Sequence, residues 1–124
     1  MTANPLAMVV EDNEDLNAIF ASALESAGYI VKSAYDGLTA RKLLSEMEPS
    51  IITLDLHMPG IGGEAVLEYI RNEDRLKDVR IIIATADARA ADALEPQPEL
   101  VLLKPISFSQ LSQIASRFAS GWVQ

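Results

Sequence analysis

The sequence predicts an α/β domain: a parallel sheet with helices on both faces. Five short apolar runs alternate with five stretches of helical periodicity along 124 residues, and that alternation is the mark of successive βα units. The run VRIIIAT (79–85) is apolar without alternation, as a central strand buried on both faces requires. No internal repeat, linker or low-complexity stretch interrupts the pattern, and the length fits one domain.

Each element follows from its residues. LAMVV (6–10) carries β-branched residues and reads as strand one. From Leu16, the apolar positions Ile19, Phe20, Ala23, Leu24 and Ala27 recur at intervals of three and four, which is a helix stripe. Asn13 can cap that helix and Gly28 can end it. YIVKSA (29–34) alternates and reads as strand two. Asp36-Gly37 opens a second helix carrying Ala40, Leu43, Leu44 and Met47, stopped by Pro49. IITLD (51–55) is strand three, and the Pro59-Gly60 turn leads to a helix marked by Val66, Leu67 and Ile70. DARAADALE (87–95) predicts a short helix with one large apolar residue, Leu94, closed by Pro96 and Pro98. LVLL (100–103) is strand five, and Leu111, Ile114, Ala115 and Phe118 mark the last helix. Residues 1–4 read as a frayed start. ASGWVQ trails off after the last helix, with Trp122 as a cap on the core or, alternatively, a partner-facing residue.

Composition narrows the function classes. The chain has no cysteine, which removes disulfides, thiolate chemistry and cysteine-based zinc sites. A formal net charge of −8 repels phosphate backbones, so direct nucleic-acid binding is not expected. The same field favours divalent cations or basic partner surfaces. No apolar run reaches the length of a membrane span, and MTANPLAMVVED lacks a basic flank and a cleavable apolar region. The expectation is a cytoplasmic, soluble protein with no membrane partner.

In open α/β sheets ligands bind at the carboxyl ends of the strands. Strand one exits into Glu11 and Asp12, strand three at Asp55, strand four at Thr85 and strand five at Lys104-Pro105. Strand two exits into Tyr35 and Asp36, which read as turn and cap residues. Any one of these is explained as a polar loop residue or a charge suited to a helix dipole. The set is harder to explain so, because two carboxylates about 4 Å apart repel by roughly 4 kcal/mol at an effective dielectric near 20. A hard divalent cation removes that conflict, and carboxylate, carbonyl and water are the ligands magnesium prefers.

The motifs VVEDNEDL, LDLHMPGIGG, IIIATAD and LLKP, in this order and at these strand ends, resemble the receiver domain of two-component response regulators. The resemblance runs from about Leu6 to Phe118. It implies a flavodoxin-like three-layer (βα)5 sandwich with a five-stranded parallel sheet in the order 2-1-3-4-5. It also implies that residues 1–124 are a single receiver domain, core about 6–118, with no output domain in this chain. Asp55 would be the phosphoacceptor, taking a phosphoryl group from a phosphohistidine on a sensor histidine kinase or a histidine phosphotransfer protein. Asp12 and Asp55 would bind Mg2+ directly, Glu11 largely through a water, and the His57 carbonyl would complete the protein ligands. Thr85 would hydrogen-bond the phosphoryl group, and Lys104 would pair with one of its oxygens ahead of a cis Lys104-Pro105 peptide. On this reading the chain is not an enzyme but a phosphoacceptor that assists its own phosphorylation and dephosphorylation. It would signal through protein–protein contacts to an unknown downstream protein, with a homodimer also open.

Two stretches depart from the family pattern. Val101 stands three residues before Lys104, where the family usually places an aromatic, and a valine has no ring to swing inward and outward. Thr85 and Lys104 are 19 positions apart (104 − 85), a few fewer than the family pattern, and EPQPEL replaces the usual Ala-Gly-Ala-rich helix end. A short, weakly docked fourth helix is therefore expected. Phe108 reads as a core residue of the last helix. His57 reads as an exposed residue whose backbone matters more than its ring; the sharper alternative is that His57 and Asp87 tune hydrolysis of the phosphoryl group. As the only histidine, His57 lacks companions for a transition-metal site. Two other functions compete with the leading one. A pseudo-receiver would serve as an interaction module not switched by phosphorylation. A magnesium phosphohydrolase of the aspartyl-phosphate type would want a second acid where His57 stands.

Overall fold

The five apolar runs become five parallel strands. In a computed structural model, which describes residues 4–95 and 97–119, they form one sheet in the order β2-β1-β3-β4-β5. The elements alternate as β1 (Leu6–Val10), α1 (Glu14–Ser26), β2 (Ile30–Ala34), α2 (Gly37–Leu44), β3 (Ile51–Leu54), α3 (Gly63–Arg71), a 3-10 turn (Asp74–Leu76), β4 (Arg80–Thr85), α4 (Ala88–Asp92), β5 (Leu100–Leu103) and α5 (Phe108–Ala119). Pro96, Trp122 and residues 1–3 lie outside the described residues. None of the described helices is long and apolar enough to cross a membrane.

Successive strand residues point to opposite faces, and the core divides accordingly. Met8, Val10, Ile52, Leu54, Ile81 and Ile83 pack with residues of α2, α3 and α4. Ala7, Val9, Ile51, Ile82 and Ala84 pack with Phe20, Ala23 and Leu24 of α1 and with Leu111 and Ala115 of α5. Ile81, Ile82 and Ile83 are fully buried, each contributing about 1.5–3 kcal/mol by leaving water. The central strands are thus fixed from both sides, and what stands at their carboxyl ends is held on a rigid platform.

Local chemistry sets the helix ends. Asn13 caps α1 by accepting from Leu16 N–H at 2.9 Å, and Gly28 leaves that helix at φ +103, a left-handed turn that favours glycine. Asp36 caps α2 through Thr39 N–H at 2.7 Å, and that bond holds its carboxyl below the usual range. Asp87 caps α4 through Ala90 N–H at 3.0 Å.

The structure corrects three expectations. Periodicity puts Ile19 on the buried stripe, yet it is 43% exposed; it stands about 100° around the helix from Phe20, at the margin of the buried face. The second helix, expected to include Met47, ends at Leu44, where Ser45 Oγ donates to the Lys42 carbonyl at 2.6 Å and turns the chain out. Phe108, expected in the core, opens α5 and is 44% exposed. The fourth helix is short, as expected, at five residues. Its docking is slight, also as expected: Ala91 is its one buried residue, Leu94 anchors the turn beyond it, and Gln97 Nε2 donates to the Leu94 carbonyl at 2.6 Å.

Candidate functional site

Each candidate residue is placed by the ladder of its strand. Beyond β1, Glu11 N–H donates to the Ala34 carbonyl at 3.1 Å, so Glu11 extends the pairing with β2. Beyond β3, Asp55 N–H donates to the Val10 carbonyl at 3.0 Å. Beyond β5, Lys104 N–H donates to the Thr85 carbonyl at 2.8 Å, and the Lys104–Pro105 peptide is cis. These bonds carry sheet geometry one residue past each strand and fix three charged side chains at one rim.

There the charges meet. Glu11, Asp12 and Asp55 each offer an oxygen, and these oxygens lie within 4.8 Å of one another. Glu11 and Asp55 are buried, at 2% and 5% exposure, whereas Asp12 is exposed. Lys104 Nζ donates to Glu11 Oε1 at 2.8 Å and stands 3.7 Å from Asp55 Oδ2. Asn13 N–H donates to the other Glu11 oxygen at 3.1 Å, and His57 N–H reaches Asp55 Oδ1 at 3.3 Å. Burial pushes the Asp55 carboxyl up from 3.8 to about 6, and the Glu11 carboxylate pushes the same way; Lys104 opposes both. One ammonium therefore does not neutralise the site.

The donor set suits a hard divalent cation. Three carboxylates, two of them buried, converge with a single counter-charge among the described residues; magnesium and calcium take oxygen ligands of this kind, and softer metals would want nitrogen or sulfur. The sequence-predicted residues Glu11, Asp12, Asp55 and Lys104 are thus brought together. Thr85, the last residue of β4, is fully buried, and its hydroxyl accepts Asp87 N–H at 3.1 Å. The His57 ring is exposed, with Nε2 2.9 Å from Asp87 Oδ2.

Two supporting residues escaped the sequence reading. Asn17 is fully buried in α1, and its Nδ2 donates to the Glu11 carbonyl at 3.0 Å and the Ala34 carbonyl at 3.2 Å. The available signal was an asparagine three residues before Phe20, inside the apolar stripe. Gly63, the first residue of α3, packs its bare α-carbon against Asp55, and a Cβ there would overlap the Asp55 carbonyl oxygen. The pair Gly62-Gly63 stands in a quoted motif, but sequence does not say which backbone approaches it.

Comparison with known proteins agrees with this geometry. The family model described as the response regulator receiver domain matches residues 7–116. The polar-differentiation response regulator DivK of Brucella anthropi is 32% identical over 103 residues, covering 81% of this chain and 84% of that protein. The DNA-binding dual master transcriptional regulator RpaA of Synechocystis is 29% identical over 91 residues, which cover 73% of this chain but only 38% of that relative. Among solved structures, the receiver domain of the sensor histidine kinase PA1611 from Pseudomonas aeruginosa superposes with a TM-score of 0.83 at 27% identity, covering 95% of this chain and 99% of that one. That structure holds a magnesium ion coordinated in its active-site cleft. Receiver domains are signalling domains of two-component systems, with phosphorylation and Mg2+ binding as the general family role, rather than enzymes in the ordinary sense. With its sheet order, its acidic rim and a match over nearly its whole length, this chain belongs to the response regulator receiver domain family.

Proposed function

We propose that this chain is a single receiver domain switched by phosphorylation of Asp55. One observation carries the reading: a buried carboxylate at the end of β3 lies beside two further acids and one lysine, with Glu11, Asp55 and Lys104 each fixed at a strand end. In the reaction, an Asp55 carboxylate oxygen attacks phosphorus of a phosphohistidine on a sensor histidine kinase or phosphotransfer protein. The new O–P bond forms as the P–N bond breaks, and the imidazole nitrogen leaves with the electron pair. The product is a mixed anhydride, labile enough for a reversible signal.

Glu11, Asp12, Asp55 and the His57 carbonyl would hold Mg2+. When bound, the ion supplies positive charge against the carboxylates and the phosphoryl oxygens. Asp55 must be ionised to attack, and Lys104 favours that form. Lys104 Nζ also offers the incoming oxygens a cation, exchanging its bond to Glu11 for one to the phosphoryl group. Thr85 uses its hydroxyl as an acceptor from Asp87 N–H, which leaves the hydroxyl proton to donate.

The test is intact mass after incubation with Mg2+ and acetyl phosphate, for wild type and Asp55→Asn. A gain of one phosphoryl group that vanishes in the variant is expected. The alternative, a pseudo-receiver acting as an unswitched interaction module, draws on Val101 and the short α4; it gains if no adduct forms in any condition. Turnover of unrelated phosphomonoesters would instead favour a phosphohydrolase.

A further inference from the structure

Asp87 stands at a junction. Its Oδ1 accepts Ala90 N–H at 3.0 Å and caps α4; its own N–H donates to Thr85 Oγ1 at 3.1 Å; its Oδ2 lies 2.9 Å from His57 Nε2. His57 in turn belongs to the acceptor loop, where its N–H reaches Asp55 Oδ1 at 3.3 Å. Three of these contacts form one path from the Asp55 carboxylate to the first turn of α4, with the bond to Thr85 branching off at Asp87, and the His57 ring is the link that bridges the two loops, 30 residues apart. A ring with its proton on Nε2 donates this bond whether neutral or charged.

The element at the far end of the path is well suited to respond. α4 has five residues, too few for helical stability of its own, so it depends on its cap and on buried Ala91 and Leu94. We propose that His57 is a positioning residue: by tying Asp87 to the acceptor loop it fixes the N-terminus of α4 and makes the order of α4 depend on the state of Asp55. The first half concerns the resting chain alone; the second rests on the reading of Asp55 as phosphoacceptor.

Amide hydrogen exchange at Ala90 and Ala91 tests both halves, with α5 amides as internal reference. In the resting, metal-free chain, His57→Ala and His57→Phe are expected to raise exchange about two- to five-fold, the weight an exposed pair of this kind ordinarily carries. His57→Gln, whose amide keeps a donor, is expected to restore it to within about twofold of wild type by the same measure. A ring that only fills space would instead be replaced by phenylalanine without effect. The second measurement adds Mg2+ and acetyl phosphate, quantifies the adduct by mass in each protein and compares α4 exchange at equal adduct fraction. Wild type and His57→Gln should show a change in α4 exchange that is at least halved in His57→Ala and His57→Phe. Unchanged resting exchange in the Ala and Phe variants, or an equal α4 response in all proteins, overturns the proposal while leaving Asp55 as acceptor. If wild type takes no phosphoryl group, the functional reading and the coupling to Asp55 fall together, and the resting measurement alone decides whether His57 fixes α4.

Discussion

Replacing Asp55 with asparagine removes a carboxylate that the fold holds against its own preference. In the metal-free chain that carboxyl is raised from 3.8 to about 6, chiefly by burial and then by Glu11. The difference of about 2.2 units, at 1.36 kcal/mol per unit, corresponds to roughly 3 kcal/mol. The sign follows from proton binding. Between about pH 4 and pH 6 the folded chain holds this proton more tightly than the unfolded chain, so stability falls as pH rises through that window and stays lower above it. The Asp55→Asn variant has no such slope, and all other titrating groups are common to both proteins. Denaturant unfolding in EDTA should therefore find Asp55→Asn more stable than wild type by up to about 3 kcal/mol at pH 7.5, the difference shrinking towards zero near pH 4. Magnesium should narrow the gap from the other side, since an ion at ten times its Kd stabilises wild type by about 1.4 kcal/mol. Equal stability of the two proteins at pH 7.5 without metal would refute the claim that Asp55 is held under electrostatic and desolvation stress.

Three further outcomes follow from the supporting residues. Gly63→Ala would drive a methyl group into the Asp55 carbonyl; overpacking of this kind costs about 1–3 kcal/mol, and the Mg2+-induced rise in melting temperature should shrink with it, so an unaltered rise would count against the packing argument. Asn17→Ala leaves the Glu11 carbonyl without its donor, whereas the Ala34 carbonyl keeps Glu11 N–H; the expected loss is about 1–3 kcal/mol in chemical denaturation, and a neutral result would deny Asn17 its structural role. His57→Ala should change the lifetime of the acyl phosphate on Asp55 at least about twofold if ring and Asp87 govern access of water, a barrier change of about 0.4 kcal/mol; identical lifetimes would leave the ring no part in hydrolysis.

Much of this site could be read from order and periodicity. Apolar runs of strand length, separated by helical stripes, dictate a parallel sheet, and a parallel sheet brings all its strand exits to one edge. Glu11, Asp12, Asp55, Thr85 and Lys104 were therefore readable as neighbours, because strand ends are local features of sequence. The contacts among them were not. Lys104 meets Glu11 across 93 residues, a pairing that depends on strand order and side-chain reach. His57 finds Asp87 only because β3 and β4 are adjacent and their loops rise on the same side. Asn17 occupies a stripe position where periodicity expects an apolar residue, and its burial makes sense only once two backbone carbonyls are seen to converge on it. Phe108 and Ile19 misled for the opposite reason: their apolar character was visible, but which side of each helix met the sheet was settled by packing. Sequence determined which chemistry would arrive at the rim, since pattern follows from hydrogen bonding and burial within each element. Tertiary structure decided which atoms touch, since those distances arise only when elements far apart in the chain are packed together.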